Sequence, residues 1–109
     1  MLHHIPSLDL DLFYTLEGTG KPLLILHGSS LDHRHMHLFV ERAFAGANGW
    51  QRIYVDLPGH GQSSAPERVR GSNDVLFALN DVLDTLVPGA RFAVIGMSYG
   101  GYLARGLVH

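Results

Sequence analysis

Three short apolar runs, each followed by small residues and an amphipathic stretch, constrain this chain more than any other feature. Leu23-Leu24-Ile25-Leu26-His27 is apolar without a break up to its histidine, the pattern of a strand buried on both faces. Arg52-Ile53-Tyr54-Val55-Asp56 is β-branched and aromatic, and Arg91 to Gly96 is a third strand. Helical periods lie between them. Met36, Phe39, Val40 and Phe44 form one apolar stripe and predict a helix over 32–46, ended by Gly46 and Gly49. Val75, Leu76, Leu79, Val82, Leu83 and Leu86 form the clearest amphipathic stripe. Ser72 or Asn73 is the expected cap of that helix, and Pro88-Gly89 its stop. Tyr99 to His109 reads as a further helix. Upstream, residues 8 to 14 alternate apolar and acidic with a period of two, as a half-solvated strand does, and Glu17 to Pro22 is a turn. The order is β, β, α, β, α, β, α. It implies right-handed crossovers and a mostly parallel sheet flanked by helices, an α/β fold.

A length of 109 residues sets one domain, 1–109, as the ceiling. With 46% apolar and 17% charged residues, the chain has the balance of a globular protein and not of a disordered one. A formal charge of −2 and the lack of any Lys/Arg run give no basis for a nucleic-acid partner. The longest purely aliphatic run, Leu23 to Leu26, is far short of a membrane span. The start, Met1-Leu2-His3-His4-Ile5-Pro6, does not read as a signal peptide, so a cytoplasmic soluble protein is expected. The absence of cysteine excludes disulfides, thiolate metal sites and a Cys nucleophile.

In a parallel α/β sheet, chemistry sits beyond the carboxyl ends of the strands. Those places are just after Leu26, Val55 and Ile95. The last holds Gly96-Met97-Ser98-Tyr99-Gly100, a G-x-S-x-G pattern at a strand-to-helix junction. So sharp a turn holds Ser98 in a strained conformation with its hydroxyl exposed, and Gly96 and Gly100 remove side chains that would collide. The bland reading is a Gly-rich turn with an incidental serine. After Leu26, Gly28 allows a close backbone approach, and the N–H groups of Ser29 and Tyr99 are candidate oxyanion donors. The bland reading there is a small-residue turn. Asp56 to Ser63 reads as a compact turn with no catalytic duty, and its His60 as a packing residue. His33 and His37 share a helix face at metal-compatible spacing, but no third ligand is apparent, so no metal is expected. His3-His4 reads as a solvated terminus. Asp9 and Asp11 read as solubilising charges at the end of the sheet far from Ser98.

Taken together and in order, Leu24-Ile25-Leu26-His27-Gly28-Ser29-Ser30, Asp56-Leu57-Pro58-Gly59-His60-Gly61-Gln62-Ser63 and Gly96-Met97-Ser98-Tyr99-Gly100-Gly101 resemble the α/β-hydrolase fold superfamily. Asp32-His33-Arg34 is similar to many members as well. The resemblance covers essentially the whole chain but only the family's N-terminal half, up to the helix after Ser98. It implies that Ser98 is the nucleophile of a Ser-His-Asp/Glu triad, with Ser29 and Tyr99 lending the oxyanion hole and no cofactor. Members that open epoxides or remove halogen carry Asp at that position. Ser98 points instead to esterases, lipases, C–C hydrolases, serine peptidases, acyltransferases or cofactor-free perhydrolases. The family order is serine, acid, histidine, and only 11 residues follow Ser98. The acid and base are therefore expected to be missing, with His27, His60 and His109 unable to replace them. The chain reads as cut after the elbow helix, leaving the strand from Arg91 as an open sheet edge.

Three functions follow as expectations. The first is a serine hydrolase of esters, thioesters or amides of a small-molecule acyl substrate, active in the parent protein and not in this piece alone. The second is a non-catalytic protein, or one half of a split protein, that pairs with a complementing chain or with itself through the open edge. The third keeps the fold and Ser98 but transfers the acyl group or performs perhydrolysis.

Overall fold

The computed structural model describes residues 1–108. In order, the elements are strand β1 (Leu2–Ile5), a 3₁₀ turn (Pro6–Leu8), β2 (Leu10–Glu17), β3 (Lys21–Leu26), helix α1 (His33–Ala43), β4 (Trp50–Val55), α2 (Ser72–Leu86), β5 (Ala93–Gly96) and α3 (Tyr99–Leu107). The strands form one sheet in the order β1-β2-β4-β3-β5. β3 runs parallel to both β4 and β5, with Leu26 opposite Val55 and Gly96. β2 is antiparallel to β4, and β1 to β2. The fold is α/β, as the alternation of strand and helix periods requires.

Alternation along each strand divides the core between two faces. Leu24 and Leu26 of β3, with Ile53 and Val55 of β4, pack against Val75, Ala78, Leu79, Val82 and Leu83 of α2 and Leu103 of α3. Their neighbours Leu23, Ile25 and Tyr54 face the other way, onto Met36 and Val40 of α1. One helix therefore covers one face and two helices the other. β5 pairs only with β3, and its Ala93 and Ile95 are exposed.

Several expectations need correction. Residues 2–5 are not a free terminus but a strand. His3 lies between that strand and α2, its Nε2 2.7 Å from Asp81 Oδ2, and only 15% of its side chain is exposed. The next strand begins at Leu10 and runs on to Glu17. Asp9 lies outside it, in a left-handed conformation at φ 52° that closes the 3₁₀ turn. Because β2 is antiparallel to β4, its first residues extend past Val55. Asp11 accepts the Ser64 N–H there, and Phe13 the Asp56 N–H. Asp9 and Asp11 thus sit at the same end of the sheet as Ser98. The α2 cap is also different: Gly71 holds the cap position without a side-chain bond, and Asp74 folds back to accept the Arg70 N–H. Ser72 is freed for another contact, its Oγ 3.0 Å from the Tyr99 hydroxyl. His109, assigned to the last helix, lies outside the described residues.

Candidate active site

Register brings the site together. Leu26 and Gly96 are opposite each other at the carboxyl ends of β3 and β5, and the Met97 N–H donates to the Leu26 carbonyl at 3.1 Å. His27-Gly28 and Met97-Ser98 therefore leave the sheet side by side. A Cβ placed on Gly28 would stand 3.4 Å from both the Met97 carbonyl oxygen and Ser98 Cβ. Gly28 thus lies against the Met97 carbonyl and the Ser98 Cβ.

Ser98 itself has φ 55° and ψ −115°, a conformation that a side chain rarely tolerates, and it is exposed. The surrounding glycines make that turn feasible. A Cβ on Gly96 would overlap the Gly100 carbonyl, and one on Gly100 would overlap the Leu26 carbonyl and stand 2.7 Å from that of His27. α3 starts at Tyr99, where helix N–H groups have no partner within the helix. Neither the Tyr99 nor the Ser29 N–H donates to an acceptor among the described residues.

The Ser29 N–H has a defined direction. The Gly28 carbonyl accepts from Leu31 N at 3.3 Å and lies 2.7 Å from His27 Nδ1. A trans peptide places its N–H opposite its carbonyl, so the Ser29 N–H points away from the His27 ring. Ser30, at φ 65°, completes this turn.

His27 is fully buried and uses both ring nitrogens. Nε2 accepts the Leu57 N–H at 2.9 Å, which leaves Nδ1 as the protonated nitrogen that donates to Gly28. Burial is the main reason its pKa lies below 6.5, with a smaller contribution from His60, whose ring centroid is 5.0 Å away. Protonating Nε2 would also break the bond from Leu57. The unfolded chain takes up this proton more readily than the folded one, so the stability contributed by His27 is full above pH 6.5 and is lost as pH drops below it. Asp32, held near a pKa of about 2 by its bonds to Arg34, loses its contribution only in a much more acidic range. Urea midpoints measured between pH 7.5 and 5.5 should fall, and His27→Gln should flatten that slope.

Asp56, which the sequence reads only as the start of a compact turn, has a structural role here that the reading does not give it. Its side chain is fully buried at the end of β4. Oδ1 accepts the His33 main-chain N–H and sits 2.7 Å from His33 Nδ1, while Oδ2 accepts the Gln62 N–H at 2.9 Å. One carboxylate therefore ties the start of α1, just beyond the Gly28 turn, to the 57–63 turn. Gly61 is required there: at φ 50° it lies against the carboxylate, where a Cβ would overlap Oδ2. His60 does pack and hydrogen-bond, through its ring contact with His27 and through Nδ1, 2.9 Å from the Pro58 carbonyl.

His33 and His37 do not come together as a pair; each meets two carboxylates in a separate group. Asp32, His33 and Asp56 bring three donor atoms within 4.8 Å of one another, and Glu17, His37 and Glu41 do the same. In both groups the carboxylates already have protein partners. Arg34 binds Asp32, and Arg52 grips Glu41 through Nε at 2.7 Å and Nη2 at 2.9 Å. The Tyr54 hydroxyl also donates to Glu41, and burial together with this carboxylate raises its pKa. A cation in the second group would face the Arg52 guanidinium. Both arrangements favour polar packing of α1 on the sheet over metal binding.

No histidine hydrogen-bonds Ser98 among the described residues. The described atoms supply an exposed, strained hydroxyl and two unclaimed N–H groups near it. Such a set can attack an electrophilic carbonyl and hold the resulting oxyanion once a base is provided.

Comparison with known proteins bears on the fold and on the reaction separately. The family model described as "Alpha/beta hydrolase family" matches residues 23–108. The 2-succinyl-6-hydroxy-2,4-cyclohexadiene-1-carboxylate synthase of Escherichia fergusonii is 42% identical over 89 residues, covering 78% of this chain and 33% of that protein. Among solved structures, an alpha/beta superfamily hydrolase from Oenococcus oeni superposes with a TM-score of 0.79 at 36% identity, over 99% of this chain and 39% of that one. A putative epoxide hydrolase from Pseudomonas aeruginosa gives 0.81 at 26% identity, over 98% and 35%. The chain spans about a third of the length of the curated relatives it matches. With the family model matching most of its residues and the sheet order and helix placement in agreement, the chain belongs to the alpha/beta hydrolase family.

Proposed function

We propose that the whole protein is a serine hydrolase acting on an ester, thioester or amide of a small acyl substrate. The observation that carries this reading is Ser98, exposed at φ 55° directly against Gly28. Ser98 Oγ attacks the acyl carbon and gives its proton to a histidine base. The carbonyl oxygen becomes an oxyanion, held by the Ser29 and Tyr99 N–H groups. The bond to the leaving group breaks as that group takes the proton, and water then releases the acid from the acyl-serine. His27 is not the base, because both its ring nitrogens are engaged. The base and its orienting acid come from outside residues 1–108. No helix among the described residues is long and apolar enough to cross a membrane.

The 42% identity to a synthase favours a second reading. There the protein hydrolyses no acyl bond, and Ser98 carries no acyl group during turnover. The two readings separate in one experiment. The protein is mixed with an activated ester, quenched in acid within its first turnover, and the Ser98 peptide weighed. The hydrolase reading expects that peptide heavier by the acyl group. An unmodified Ser98 peptide during active turnover would replace it with the second reading.

A further inference from the structure

The chain has three asparagines, Asn48, Asn73 and Asn80, and their surroundings differ. Asn73 and Asn80 lie within α2 and precede Asp74 and Asp81. The Asp74 N–H is engaged with the Gly71 carbonyl at 3.1 Å, and Asp81 is within the helix ladder. Asn48 is exposed in the segment between α1 and β4 and precedes Gly49. Gly49 has φ 94°, and nothing stands within 4 Å of where a Cβ would be. Its N–H donates to no acceptor among the described residues. The Asn48 side-chain carbonyl thus has next to it an unhindered amide nitrogen with no hydrogen bond to give up.

We propose that Asn48-Gly49 is a site of spontaneous backbone modification, in which the chain converts its own asparagine into isoaspartate through a cyclic imide. Solvent hydroxide removes the Gly49 amide proton. The nitrogen then forms a bond to Asn48 Cγ, the bond from Cγ to the side-chain nitrogen breaks, and that nitrogen leaves as ammonia. Water opens the resulting succinimide at either carbonyl. Opening at the main-chain carbonyl leaves isoaspartate, with one extra methylene in the backbone, and opening at the other leaves aspartate. Nothing is oxidised or reduced, and water is the only co-reactant.

The location sets the consequence. The Gly49 carbonyl accepts the Lys21 N–H at 2.8 Å, just ahead of the β3–β4 ladder where Lys21 pairs with Trp50. Gly20 is packed so closely on Gly49 that a Cβ there would overlap its backbone. An added methylene cannot be absorbed without loosening this junction. The formal charge also moves from −2 to −3. Because β3 and β4 are parallel, the junction is at the end of the sheet opposite Ser98, so the modification acts on stability and charge and leaves the Ser98 region in place.

The test is incubation of the native protein at neutral and mildly alkaline pH, followed by peptide mass analysis and isoaspartate-specific methylation. Asn48 is expected to gain one mass unit about tenfold or more faster than Asn73 or Asn80, at a rate that rises with pH, with isoaspartate present in the product. Asn48→Gln should remove the early species while leaving the unfolding midpoint unchanged. Equal rates at all three asparagines, conversion of Asn48 only in the denatured chain, or an undiminished mass gain in Asn48→Gln would each overturn the proposal.

Discussion

Ser98→Ala is expected to lower turnover of an activated ester by the whole protein about 10⁴- to 10⁶-fold, the loss that follows when a serine nucleophile is removed. The fold should persist, because Ser98 is exposed and its hydroxyl has no hydrogen-bond partner among the described residues. Ser98→Gly adds a second, opposite effect. Glycine adopts φ 55° without the strain a Cβ brings, so this variant should be equally inactive yet more stable by about 1 kcal/mol. Ester turnover and urea unfolding on the same preparations check both points. An active Ser98→Ala variant would remove Ser98 from the chemistry; a destabilised Ser98→Gly variant would show that the turn is not strained.

Asp56→Ala should cost about 3 kcal/mol of folding stability or more. Its carboxylate is fully buried and is the acceptor for two main-chain N–H groups and the His33 ring, all left without a partner after truncation. Losing this tie frees the start of α1 from the 57–63 turn and, through the Gly28 turn, the Ser29 N–H. A double-mutant cycle with His33→Ala should therefore be less than additive, since the two side chains share one bond. Denaturant midpoints of the four proteins measure it. Additive losses, or a loss below about 1 kcal/mol for Asp56→Ala, would mean the carboxylate is not the tie.

The parts of the fold that could be read from the sequence are those in which local pattern and tertiary role coincide. Leu23 to Leu26 is apolar on both faces because helices cover both faces of β3, so its composition alone marks it. The stripe from Val75 to Leu86 is readable for the same reason, since one face of α2 supplies much of the larger core. β1 is not readable. Leu2-His3-His4-Ile5 has too few apolar residues to signal a strand, and its support comes from β2 and from Asp81, 78 residues further on. The misplacement of Asp9 and Asp11 has a related cause. Alternation identifies a strand but not its direction, and β2 proves antiparallel to β4.

The candidate site divides in the same way. Gly96, Ser98 and Gly100 carry their constraint within five residues, because each glycine avoids a collision that the turn itself creates. Asp56 carries no such local signature. Its partners, His33 and Gln62, come from two different loops that meet only once β3 and β4 are paired. The sequence sets His27 aside as a base but does not reveal its bond from Leu57, across 30 residues of chain.

In the proposed function Ser98 is the reacting group, and the neighbouring N–H pair supports its attack. Mapping the adduct of a fluorophosphonate probe on the whole protein tests it most directly. A phosphonylated serine is itself an oxyanion mimic, so the probe reports both the nucleophile and the donors. The account predicts one adduct, on the peptide carrying Ser98, lost in Ser98→Ala and slowed by unfolding. A folded protein that leaves Ser98 unlabelled while consuming substrate, or that is labelled at another residue to the same extent, would contradict it.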